Sequence, residues 1–139
     1  MLCAFLLYTK LHDNSAHETM FVQSMGATRV QRHAAFSEIV FNMGYTDVET
    51  EPFEVVEIQI PKTFGKVYQR YNELLKKGGY DLSLYKGKKC TRYTYRIPSL
   101  NARANILVCG GKIIGGDISG ITIDSIMIPL DKTYEPNKN

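Results

Sequence analysis

Three histidines and three cysteines are the first residues to test for chemistry. His12, His17 and His33 each lack a second histidine four positions on, and Cys3, Cys90 and Cys109 form no C-x-x-C pair. Zinc centres draw their ligands from such short spacings, so the sequence predicts no metal. No G-x-S-x-G turn is present, and no serine or cysteine stands in a motif with a dedicated histidine. Nucleophilic catalysis therefore has no recognisable apparatus. Gly110-Gly111 and Gly115-Gly116-Asp117 are the glycine-rich turns. Neither matches G-x-G-x-x-G or a Walker pattern, and neither opens a helix, so a phosphate cradle is not expected. Asp117, a carboxylate beside a glycine turn, is a candidate binding residue. In an alternative, enzymatic reading it is the centre of an unrecognised site. No two acids are spaced for general acid–base work. The sequence points to no catalytic residues, no cofactor and no metal.

The remaining chemistry is cationic. Lys86, Lys88, Lys89, Arg92, Tyr93, Tyr95 and Arg96 form a basic, tyrosine-bearing stretch. A nucleic-acid platform needs aromatics and cations on one face so that bases can stack. Strand alternation separates Tyr93 and Tyr95 from Arg92 and Arg96, which leaves a general polyanion contact. Lys88, Arg92 and Arg96, with Asp117, are the candidate binding residues. The expected partner is a protein or an anionic polymer, not a specific nucleic acid.

Charge is unevenly spread. Residues 1–61 hold three Lys/Arg against eight Asp/Glu, 62–112 hold twelve against two, and 113–139 hold two against four. Such a split suits an anionic partner. The competing reading is that acidic and basic segments neutralise one another within the fold.

These residues must be positioned by helices and strands. A helix is expected over about 29–43. Thr28 and Gln31 have capping-box spacing, Phe36, Ile39, Val40 and Met43 form its apolar stripe, and Gly44 is a left-handed stop. From Phe53 to Ile60 the period changes to two, bracketed by Pro52 and Pro61, which predicts a half-buried strand. A second helix follows, with Thr63 as its expected N-cap. Phe64, Val67, Tyr68, Tyr71, Leu74 and Leu75 make its stripe, and Gly78-Gly79 ends it. After a loop over Tyr80–Gly87, Lys88–Ile97 alternates. Tyr93 and Tyr95 are expected toward the helices, and Cys90, Arg92, Thr94 and Arg96 outward. Ala104–Cys109 and Lys112–Asp117 flank a two-residue primed turn at Gly110-Gly111. That register sets Val108 against Ile113 and Leu107 against Ile114. It also puts Cys90 and Cys109 on neighbouring strands and one face. A disulfide there needs Cα atoms within about 7 Å, and two free thiols are the expectation. Ile118–Leu130 is read as one more strand.

The predicted fold is α+β, with two helices on one face of a mostly antiparallel sheet of about four strands, in the order α-β-α-β-β-β. Residues 1–27 read as an apolar start and linker, 28–130 as a single domain, and 131–139 as a flexible tail. Leu2–Tyr8 is an apolar run too short for a spanning helix, which needs about 20 residues. It lacks the flanks of a signal peptide, and reads as the end of an anchor or as a short packing element. A chain of 139 residues with 44% hydrophobic and 22% charged residues is not disordered, collagen-like or a multi-span membrane protein.

The order Tyr68-x-x-Tyr71-Asn72-x-Leu74, Tyr80-Asp81-Leu82-x-x-Tyr85-x-Gly87-Lys88, Arg92-Tyr93-Thr94-Tyr95, Ala104-Asn105-x-Leu107-Val108 and Gly115-Gly116-Asp117 resembles a small bacterial family of domains of unknown function. The resemblance spans roughly residues 29–120. It implies an extracytoplasmic domain, associated with a membrane through an amino-terminal anchor or signal, without assigned activity. The expected function is accordingly a non-catalytic accessory or binding domain. The alternatives are a cytoplasmic location, an enzyme at Asp117, and a polyanion or nucleic-acid binder acting through the basic sheet face.

Overall fold

Strands form where branched and aromatic side chains alternate, and the glycine pairs punctuate them. The computed structural model describes residues 36–122 and 126–136, which fall in one unit, Phe36–Asn139. The apolar start, the linker, the Thr28–Gln31 capping box and the three histidines lie outside the described residues. Helix α1 covers 36–42. Then come β1 (Glu54–Gln59), α2 (Lys66–Lys77), a 3-10 turn (Leu82–Tyr85), β2 (Lys89–Ile97), β3 (Ala102–Cys109), β4 (Lys112–Gly120) and β5 (Met127–Pro129). The strands form one antiparallel sheet in chain order, β1-β2-β3-β4-β5. The α+β class is as expected. The sheet has five strands where about four were expected, because Met127–Pro129 adds a short edge to β4.

The placement of the helices differs from the expectation of one shared face. On α1, the Phe36 ring lies 4.9 Å from that of Tyr93. On α2, Tyr71 bonds to Asp117, which shares a sheet face with Asn105 and Thr94. Tyr93 and Thr94 are adjacent in β2 and point to opposite faces, so the two helices cover opposite sides. The physical reason lies in β3 and β4. Ile106, Leu107 and Val108 are all buried, as are residues 113–118. Strands buried without alternation must be covered on both faces. Cys90 and Thr94, expected outward, are buried accordingly.

Gly110 and Gly111 have φ of 61° and 79°, the left-handed pair of a type I′ hairpin turn. Val108 pairs with Ile113 as expected, but Leu107 pairs with Gly115, and Ile114 is the extra residue of a β-bulge. The shift brings a glycine under α2. A Cβ on Gly115 would stand 2.7 Å from Leu75 Cδ1, so the missing side chain is what lets fully buried Leu75 reach the sheet.

Helix α2 starts later than expected. Gly65, not Thr63, is its N-cap, with no side-chain bond. Tyr68, Tyr71, Asn72 and Leu75 form its inner stripe, while Val67 is 80% exposed. Buried Asn72 ties the helix to the chain that follows. Its Oδ1 accepts from Leu82 N at 2.7 Å and its Nδ2 donates to Asp81 Oδ1 at 2.9 Å. Asp81 also accepts from Ser83 N, and these donors hold its carboxyl down to about 2. In the segment expected as a flexible tail, residues 132–135 are hydrogen-bonded to the rest of the domain. Lys132 N donates to Gly78 O at 2.8 Å, Asn42 Nδ2 donates to Tyr134 O at 3.0 Å, and the Tyr80 hydroxyl donates to Glu135. Those bonds exist because fully buried Leu130 anchors the segment beside α2.

Candidate functional site

Each of β2, β3 and β4 carries one polar residue at the same level of the sheet, namely Thr94, Asn105 and Asp117. They form a hydrogen-bonded row. Thr94 Oγ1 donates to Asn105 Oδ1 at 2.9 Å, and Asn105 Nδ2 donates to Asp117 Oδ1 at 3.2 Å. From α2, the Tyr71 hydroxyl donates to Asp117 Oδ2 at 2.5 Å. Asp117 is 3% exposed. Burial pushes its carboxyl above the usual range, against the donors Tyr71, Asn105 and Ser119 and the charge of Arg92. Burial and the neighbouring carboxylate push the Tyr71 hydroxyl up as well. Tyr68, Tyr71, Arg92, Asn105, Leu107 and Asp117 line a cleft of about 240 Å³. The carboxylate accepts from Tyr71 on α2 and from Asn105 on β3, so it ties α2 to the sheet.

A pH effect follows. The folded state raises the Asp117 pKa, so its contribution to stability is full below the ordinary carboxylate value of 3.8 and is lost as pH rises through the raised value. The Asp117→Asn variant lacks that dependence. Denaturant midpoints compared at about pH 7 and about pH 4 will show the parent gaining on the variant as pH falls. A constant difference would remove the effect.

The sequence-selected cations do not converge. Arg92 enters the Asp117 cleft, where its Nε is buried without a hydrogen-bond partner among the described residues while Nη2 lies 3.2 Å from Glu54 Oε1. Arg96 sits half a strand away, 4.0 Å from Glu49 and with its guanidinium 4.0 Å from the centre of the Phe53 ring. Lys88 is exposed just before β2. At about 3.3 Å per residue, it is about 26 Å along the strand from Arg96. Arg92 and Asp117 are the two that meet.

A different set of cations gathers at the Lys88 end of the sheet. Lys89 pairs with Gln59 at the end of β1, and Gln59 Nε2 donates to Gly87 O at 3.0 Å. The Lys62 stem lies against Gly87. Lys86 Nζ stands 4.9 Å from the centre of the Phe64 ring, at the uncapped start of α2. Cys109 Sγ lies 3.6 Å from Lys89 O, and Lys112 is the pairing partner of Cys109. Residues 58–72 and 82–116 contain no Asp or Glu, and Lys62, Lys88, Lys89 and Lys112 make no ion pair among the described residues. Lys62 and Lys112 were not selected from sequence, although each stands beside a strand-ending Pro or Gly that marks it as an end residue.

The family described as domain of unknown function DUF4830 matches residues 41–118. The chain belongs to the DUF4830 family. The DUF4830 span includes α2, the Asp117 cleft and the lysine-bearing end, and stops one residue after Asp117. No curated protein and no solved structure matches the chain.

Proposed function

We propose that this DUF4830 chain is a non-catalytic accessory domain that works outside the cytoplasm beside a membrane and holds an anionic polymer at the lysine end of its sheet. The observation that carries this reading is the contrast among its cations. Arg92 and Arg96 each face a glutamate, while Lys62, Lys88, Lys89 and Lys112 share one end and, among the described residues, form no ion pair. Unneutralised charges of one sign concentrate a polyanion by releasing its counterions. The membrane-side location is supported by the resemblance to short bacterial domains with an amino-terminal anchor. Among the described residues no helix is long and apolar enough to cross a membrane.

Retention on immobilised polyphosphate tests the reading, with neutral dextran as the comparison. Each contacted charge contributes about 0.7 to the slope of log affinity against log salt. The expected slope is therefore about −3. Retention that ignores salt, or equal retention on dextran, would sink the proposal.

A further inference from the structure

The β2–β3 register pairs Thr91 with Val108. One step further it sets Cys90 opposite Cys109, at the ends where both strands begin and finish. Directly opposed residues in an antiparallel pair have Cα atoms about 4.5–5.5 Å apart. A disulfide takes Cα separations of about 4.4–6.8 Å. Both side chains emerge on one face, because each is two residues from the paired Arg92 and Leu107. Both are free thiols, Cys90 buried and Cys109 half-buried. Their sulfurs lean on the same stretch of chain. Cys90 Sγ lies 3.9 Å from Lys88 O, and Cys109 Sγ 3.6 Å from Lys89 O.

We propose that Cys90 and Cys109 are a cross-strand dithiol that closes to a disulfide when the domain meets a small disulfide oxidant. The proposal stands apart from the polymer-binding reading and needs only the register. The half-buried Cys109 reacts first. Its thiolate attacks one sulfur of oxidised glutathione, the glutathione S–S bond breaks, and one glutathione leaves as a thiolate that takes up a proton. Cys90 then loses its proton and attacks Cys109 Sγ, displacing the second glutathione. Two protein thiols are oxidised, one glutathione disulfide is reduced to two thiols, and the two protons released by the protein end on the two glutathiones. The order of attack has a reason in the environment. Burial and the contact with Cys109 push the Cys90 thiol up to about 12, against the pull of Lys88. Lys88 and Lys89, beside the thiols, also attract the negatively charged oxidant.

The test uses the full chain carrying Cys3→Ser, so that the third thiol takes no part. The folded protein is incubated with oxidised glutathione, the remaining thiols are alkylated, and the protein is weighed by mass spectrometry. The expected product has lost two hydrogens, carries no alkyl group, and returns to two alkylatable thiols after dithiothreitol. Adding Cys90→Ser should halt the sequence at a glutathione adduct on Cys109. Two outcomes overturn the proposal. Both thiols remain alkylatable in the folded protein, or the glutathione adduct persists on Cys109 while Cys90 is still present.

Discussion

The Gly78→Ala variant is expected to lose about 3 kcal/mol or more of folding stability. Gly78 ends α2 with φ of −97°, a backbone any residue can adopt, so conformational strain is not the cause. Space is. A Cβ at that position would stand 1.8 Å from Leu130 O and 2.9 Å from Leu130 C. Those atoms are backbone, and they cannot swing away as a long side chain does. Leu130 N is already bound to Gly116 O at 3.0 Å, and Lys132 N to Gly78 O at 2.8 Å. To admit the methyl group, the segment after β5 must leave α2, and with it go the buried Leu130 side chain and the anchors of residues 132–135. Urea midpoints of the parent, Gly78→Ala and the neighbouring surface change Lys77→Ala make the comparison. Gly78→Ala should fall far below the other two. A midpoint like that of Lys77→Ala would show that this segment contributes little.

A second large effect is expected at the lysine end. Changing Lys62, Lys88, Lys89 and Lys112 together to alanine should weaken polyphosphate binding by about a thousandfold. A lysine beside an anionic surface contributes about 1 kcal/mol, and about 4 kcal/mol corresponds to a thousandfold change in affinity. The paired arginines supply the contrast. Arg96→Gln should leave binding within about a factor of three, because that side chain is exposed, faces Glu49 and already rests on Phe53. Both variants keep the core intact, which the unfolding midpoint verifies. If Arg96→Gln lost as much affinity as the four-lysine variant, the binding surface would lie on the sheet face and not at its end.

Much of the fold was legible because its signals are local. The period-two run before Pro61 became β1, and Gly110-Gly111 became a type I′ turn. The stripe at Tyr68, Tyr71 and Leu75 became the inner face of α2. What alternation cannot state is which helix covers which face. Arg92 looked outward because its neighbours Tyr93 and Tyr95 are aromatic, yet the bare surface at Gly115 and the apolar Leu107 drew α2 onto the Arg92 side. The β5 strand was faint because it is short and ends in proline. Asp117 stood out as a lone acid. Its partners did not, since Thr94, Asn105 and Tyr71 become neighbours only when three strands and a helix are in register. The charge asymmetry was legible in amount but not in address. Glutamates before and within β1 face the arginines of β2, and the lysines that form no ion pair among the described residues are gathered by tertiary pairing from loops and from the starts of β2 and β4.

Because the sheet follows the chain from β1 to β5 without a crossover, its assembly proceeds by closing loops of very unequal length. The entropy lost on closure grows with loop size. The β3–β4 hairpin, joined by Gly110 and Gly111 alone, closes the smallest loop and is the natural first contact. β2 and β5 are reached through short links on either side. β1 must wait for the whole of α2 and the following turn to be drawn in, since Gln59 and its partner Lys89 are separated by that segment. The β1 edge, with Lys62 just beyond it, is therefore the part of the sheet completed last, and by the same reasoning the first to open when the protein breathes.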